Sequence, residues 1–115
     1  MQRIGSHVIG LDDGNEVLFS DFETDGEMWT GEGPREIRRR VTFTEPYDTR
    51  PSVMVSLSMW DFAHGANVRA DVQAEEIDRD GFDIVFRTWG DTRVARVRVA
   101  WPSIGGLRGE DTWDI

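Results

Sequence analysis

Two arginines and a tryptophan stand where a binding surface would need them. Arg69 falls in NVRADVQAEE, and Arg87 and Trp89 fall in GFDIVFRTWGDT. Side chains alternate between the two faces of a strand, so all three project from the polar side of their segments and converge if those segments are neighbours. A tryptophan beside arginines and carboxylates suits a sugar. The indole covers the apolar C–H patch of a pyranose, while the charged groups make directional bonds to vicinal hydroxyls. The same residues also admit a purely structural reading, in which Trp89 caps the end of the core and Arg69 satisfies a neighbouring aspartate.

Catalytic chemistry finds less material. His7 and His64 are the only imidazoles, and neither stands in HExxH or a comparable ligand spacing. GxSxG is absent, and with no cysteine in the chain thiolate zinc sites and cysteine nucleophiles are excluded. LDDGNE lacks the alternating ligands of a calcium loop and reads as a turn. TGEGPRE has neither GxGxxG nor GK[ST]. Asp61 and Glu75 would suit a glycosidase pair, but among 22 acidic residues accidental pairs are expected. The expectation is a protein that is not an enzyme, with no cofactor and no metal.

Charge narrows the partners. The net charge is −9, and all thirteen basic residues are arginine. Phosphate backbones require clustered positive charge, so neither nucleic acid nor an anionic membrane surface is a fitting partner. Arginine's planar fork suits bidentate pairing and stacking on aromatics, as at interfaces and sugar sites. MQRIGSHVIGLDDG contains no apolar run of signal-peptide length, and no stretch is long enough to span a membrane, so Sec-type export and membrane insertion are not expected. The cellular location stays open.

The elements that position these residues read as strands. Residues 1–14 suggest an arm or a short strand ending at the turn signal DDGN, EVLFSDF a strand, and DFETDGEMWTGEGPRE a long loop. From Glu36 onward, short period-two runs alternate with turn residues, which is the all-β pattern. Val53, Val55, Leu57 and Met59 share one face, opposite Met54, Ser56, Ser58 and Trp60. Val68, Ala70, Val72 and Ala74 oppose Arg69, Asp71, Gln73 and Glu75. Phe82, Ile84 and Phe86 oppose Asp83, Val85 and Arg87, and Ala95, Val97, Val99 and Trp101 oppose Val94, Arg96, Arg98 and Ala100. At 115 residues the chain makes about one domain. Three parts follow: 1–35, an N-terminal arm with short strands and a ligand-side loop; 36–105, a β-sandwich; and 106–115, an acidic tail. A domain this small hides proportionally little surface, which favours an oligomer.

FTEPY, the LSMWD strand end, Asn67-Val68-Arg69, Gly81-Phe82 and Thr88-Trp89-Gly90-Asp91-Thr92, followed by a strand ending at Trp101, stand in the order of a known module. Over roughly Glu36 to Gly105 the chain resembles the H-type lectin domain of snail agglutinins and discoidin C-terminal domains. That resemblance implies a six-stranded antiparallel β-sandwich forming a homotrimer, stacked into hexamers in some members. It also implies galactose or N-acetylgalactosamine-type glycans bound at protomer junctions. Arg69 would bond sugar hydroxyls, Trp89 would line the pocket, and Glu32 would supply the acidic residue, with Gly31 and Gly33 bringing backbone N–H groups close. Gly90 stands where the snail proteins have a histidine, and Ala95 where they have an aromatic. The missing cysteines fit an intracellular or bacterial-type member. Arg87, Arg96 and Arg98 are expected on faces that meet neighbouring protomers, paired with Asp83, Asp71, Glu75 or Glu76. The competing reading is a non-catalytic assembly trimer, such as a component of a phage-like or surface particle, with no working sugar site.

Overall fold

A computed structural model describes residues 1–5 and 8–108. Its elements run β1 (Val8–Phe19), α1 (Asp21–Thr24), α2 (Glu27–Thr30), β2 (Arg35–Thr42), β3 (Ser52–Val53), β4 (Ser56–Phe62), β5 (Asp71–Glu75), β6 (Gly81–Thr88) and β7 (Val94–Leu107). The strands form two antiparallel sheets. In sheet A, β1 lies on one side of β7, while β3 and β4 follow one another along its other side. In sheet B, β6 lies between β2 and β5. There are thus six strand positions, three in each sheet, as an antiparallel sandwich requires. His7 and the tail residues 109–115 lie outside the described residues.

Alternation builds the core. Phe82, Ile84 and Phe86 of β6 face Val97, Val99 and Trp101 of β7, and each is buried. Burying an aliphatic or aromatic side chain of this size is worth about 2 kcal/mol, so these two central strands contribute much of the hydrophobic stabilisation. Phe82 meets Trp101 edge-on with ring centres 5.0 Å apart, and Phe43 packs against both. Tyr47 closes one end, its hydroxyl 2.7 Å from Ser103 Oγ.

Three local expectations are corrected. DDGN does not turn: β1 passes straight through it, with Asp13 opposite Pro102, Gly14 opposite Trp101 and Asn15 opposite Ala100. Its glycine serves close approach, since a Cβ at Gly14 would lie 2.5 Å from Trp101 Nε1. Residues 21–30 are two single-turn helices rather than open loop. Buried Met28 pins them, and its N–H donates to Asp21 Oδ2 at 2.9 Å. A bulge at Ser58 shifts the register of β4, setting Met59 opposite Arg98 and Trp60 opposite Val97, while Trp60 stays 62% exposed. β7 also continues past Trp101 to Leu107.

Candidate functional site

Two threonine hydroxyls explain why Asn-x-Arg and TWxxT occur together. Thr88 Oγ1 donates to the Arg69 carbonyl at 2.6 Å, and Thr92 Oγ1 donates to the Asn67 carbonyl at 2.6 Å. Both threonines are buried. The Arg69 segment is not strand, because β5 begins only at Asp71 and Val68 is exposed. The two hydroxyls replace the missing ladder and fasten Arg69 to the end of β6.

The arginine side chain is held as well. Its Nη1 lies 2.6 Å from Asp91 Oδ1 and 3.3 Å from Thr92 Oγ1. That contact holds the Asp91 carboxyl below the usual range. Gly90, at φ 69°, lies beneath the guanidinium, where a Cβ would come within 2.9 Å of Nη1. The glycine therefore gives the turn its left-handed residue and leaves room for Arg69.

Arg35 joins this turn to the 28–33 segment. It is only 4% exposed. Its guanidinium donates to the carbonyls of Thr92 (2.7 Å), Gly33 (2.9 Å), Met28 (3.2 Å) and Gly90 (3.3 Å). The Gly33 N–H adds a bond to the Gly90 carbonyl at 2.9 Å. Sequence reasoning passed over Arg35 as part of a loop. The available signal was parity, since Arg35 shares the inward face of β2 with Ile37 and Arg39.

The expected site residues are brought together unequally. Arg69, Gly90 and Asp91 are in direct contact. Gly31 ends α2, its N–H donating to the Glu27 carbonyl at 2.7 Å, and it packs beside Arg35. Glu32 is exposed between Gly31 and Gly33, within the segment that Arg35 ties to Gly90. Trp89 is 44% exposed and walls a separate cleft of about 230 Å³ with Pro34, Arg35, Glu36, Arg87 and Thr88. Arg69 and Arg87 do not converge.

Arg87 belongs instead to an ion-pair grid on the outer face of sheet B. Glu75 receives Arg87 on one oxygen at 2.8 Å and Arg38 on the other at 3.0 Å, which holds its carboxyl low. Arg87 also reaches Glu36 at 2.8 Å, Arg38 reaches Asp83 at 3.0 Å, and Arg40 reaches Asp78 at 2.7 Å. All of these pairs form within one chain. Asp61 lies in β4 and pairs with Arg96 at 3.1 Å.

Beside the turn, Arg93 stacks on Trp29 at 4.3 Å and donates from Nε to the Trp29 carbonyl at 2.9 Å. Among the described residues there is no cluster of histidine and acidic side chains able to hold a metal ion, and no helix is long and apolar enough to cross a membrane.

The sandwich is similar to that of discoidin II from Dictyostelium discoideum. A solved structure of that protein superposes with a TM-score of 0.75 at 20% identity, covering 94% of this chain and 41% of that one. Fold and sequence together define a non-catalytic, carbohydrate-binding module. Residues 38–104 match the H-type lectin domain, and the chain belongs to that family. It is also 36% identical over 70 residues to a discoidin-1 chain of Dictyostelium discoideum, 60% of this chain and 28% of that protein. Over all 115 residues it is 54% identical to a Fuscovulum blasticum protein named ATP synthase subunits region ORF 7, covering 99% of it. The chain thus spans well under half of each discoidin.

Proposed function

We propose that this module binds galactose or N-acetylgalactosamine-type glycans, with Arg69, Trp89, Gly90, Gly31 and Glu32 forming the site at protomer junctions of a homotrimer that can stack into hexamers. The observation that carries the reading is the set of Arg69. Among the described residues, Asp91 and Thr92 take up only its Nη1, so Nη2 and Nε keep their donors while the side chain is already oriented. A pre-oriented guanidinium with free N–H groups suits adjacent sugar hydroxyls, because little further entropy is lost on binding. Half-exposed Trp89 offers an apolar surface nearby, and several weak sites on one assembly gain strength by avidity. Gly90 removes any side chain at the position where a histidine would contact an N-acetyl group, which favours a plain galactose-type sugar.

The second reading, an assembly trimer without a sugar site, draws on the same Arg69–Asp91 pair, which satisfies the arginine within its own chain. A glycan array on the purified protein, with light scattering on the same preparation, separates the two. Glycan binding that disappears in both Arg69→Ala and Trp89→Ala, at unchanged assembly mass, supports the lectin site. An assembly that ignores every glycan rejects it in favour of the scaffold role.

A further inference from the structure

Trp101 is only 6% exposed, yet its indole N–H meets no hydrogen-bond acceptor among the described residues. An indole nitrogen can only donate, and an unpaired donor on a buried side chain calls for a physical reason. Among the described residues no sealed side-chain donor or acceptor lacks a partner, so this N–H reaches an opening. Gly14 makes that opening. It lies opposite Trp101 in β1, and a Cβ there would come within 2.5 Å of Nε1 and 2.8 Å of Cε2. Any other residue would close over the donor.

Two hollows border Trp101. One lies on the outer face of sheet A beside Ser56, Ala100 and Pro102. The Trp101 side chain points to the opposite face, so it offers that hollow only its backbone. The other, of about 330 Å³, opens on the flank of the sandwich between the edge strands β1 and β2, bounded by Gly14, Glu16, Arg39, Val41 and Trp101. Its volume is that of a small-molecule site. Arg39 sets its width. From β2 it reaches across to β1, donating from Nη2 to the Leu18 carbonyl at 2.6 Å and from Nη1 to the Val17 carbonyl at 3.2 Å. The hollow is therefore formed before anything enters it.

The polar groups around it define what fits. Arg39 Nη1 lies 3.5 Å from Glu16 Oε2, while Arg39 Nε and Glu16 Oε1 have no partner among the described residues. Two N–H donors and a carboxylate acceptor thus stand beside the apolar surface of Val41 and the indole. The charges of Arg39 and Glu16 cancel, so an ion gains no net attraction here, and a chain charge of −9 disfavours anions further. A hydroxyl both donates and accepts, so a neutral molecule with adjacent hydroxyls serves all three groups.

We infer that this flank hollow is a second binding site, for a neutral hydroxylated ring such as a pyranose, with the Trp101 N–H as its fixed donor and Glu16 as its acceptor. Val41 lies six residues along β2 from Arg35, about 20 Å away, so one monosaccharide does not reach both this hollow and the turn that Arg35 holds. The inference stands without the sugar site at Arg69.

Two-dimensional NMR on the ¹⁵N-labelled full chain tests it, following the assigned Trp101 indole N–H resonance as methyl α-galactoside or methyl α-glucoside is added. A saturable shift is expected with a neutral glycoside. It should persist in Arg69→Ala, and the dissociation constant should rise about tenfold or more in Glu16→Gln, which loses a charged acceptor. Galacturonate, an anionic counterpart, is expected to bind at least about tenfold more weakly than methyl α-galactoside. Gly14→Ala, whose Cβ covers the donor, should abolish the response; circular dichroism checks its fold, and half-exposed Glu16 provides the variant that does not disturb the core. A resonance that ignores both glycosides, or moves without saturating, overturns the site and leaves the N–H to solvent. A response lost in Arg69→Ala overturns it too, because the shift is then relayed from the other site. Unchanged affinity in Glu16→Gln overturns the assigned acceptor, and galacturonate binding as tightly as the neutral sugars overturns the ligand class. A Trp101 response in a chain whose glycan binding is indifferent to Arg69 and Trp89 rejects the lectin site proposed above and keeps this one.

Discussion

The Arg35 guanidinium lies 2.7 Å from the carbonyl oxygen of Thr92, and through this and three further carbonyls one buried arginine joins the end of α2, the Gly33 segment and the turn after β6. The cation is neutralised by no carboxylate among these partners. Four oriented carbonyl dipoles solvate it instead, as water would. The candidate sugar site is therefore held by a residue that need not touch the ligand.

Arg35→Met keeps most of the side-chain length and removes every donor. It leaves buried carbonyls unpaired, so the expected loss is about 3 kcal/mol in urea denaturation, with glycan binding weakened because the Gly31–Gly33 segment is released. Arg35→Lys supplies donors without the fork and is expected to recover only part of that loss. A Met variant within about 1 kcal/mol of wild type, on the scale of ordinary surface changes, would show that the segment holds its place without the clamp.

Thr92→Val tests the link between the two motifs. The change is nearly isosteric, but it removes the hydroxyl that bonds the Asn67 carbonyl and receives Arg69 Nη1. Stability is expected to fall by about 1–2 kcal/mol. Because Arg69 loses a positioning contact, glycan affinity should fall further than the stability change alone explains. Thermal denaturation and titration calorimetry on the same samples separate the two effects.

Gly90→Ala places a Cβ on a residue at φ 69° and against the Arg69 guanidinium. A left-handed alanine costs about 1 kcal/mol, and the flexible arginine can move aside. The expected outcome is a modest drop in melting temperature with a much larger loss of sugar binding. Unchanged binding would show that Arg69 does not need its present position.

Much of the sandwich was legible because a strand exposes its parity in the chain. Phe82, Ile84 and Phe86 alternate with Asp83, Val85 and Arg87, and Val97, Val99 and Trp101 with Arg96, Arg98 and Ala100, so their inward faces could be read from the period of two. Legibility failed where one residue type serves two physical ends. Gly14 in DDGN looks like a turn glycine, yet it sits within a strand to admit the Trp101 indole, and only the cross-strand partner reveals this. The Ser58 bulge shifted the register of Met59 and Trp60 against β7, which one strand alone does not encode. At the site, Arg69 and Trp89 could be singled out by type. Their separation into two neighbouring places, and the tie through Arg35, depend on how distant segments fold against each other.

Acid sensitivity follows from the grid on sheet B. Arg87 and then Arg38 hold the Glu75 carboxyl below its ordinary range, and in Asp91 the Arg69 contact acts the same way. A carboxyl whose folded value is depressed contributes stability that is present above its unfolded value, about 4.3 for glutamate, and lost as pH falls through the folded value. Both groups border solvent, so the effect is small and screened by salt. Urea midpoints measured from pH 6 down to pH 3 are expected to fall most steeply below about pH 4.3. Glu75→Gln should be less stable than wild type at pH 6 and should show a shallower decline, the two curves approaching one another at the acid end. Parallel curves would mean that Glu75 gains no more from its arginines in the folded chain than in the unfolded one.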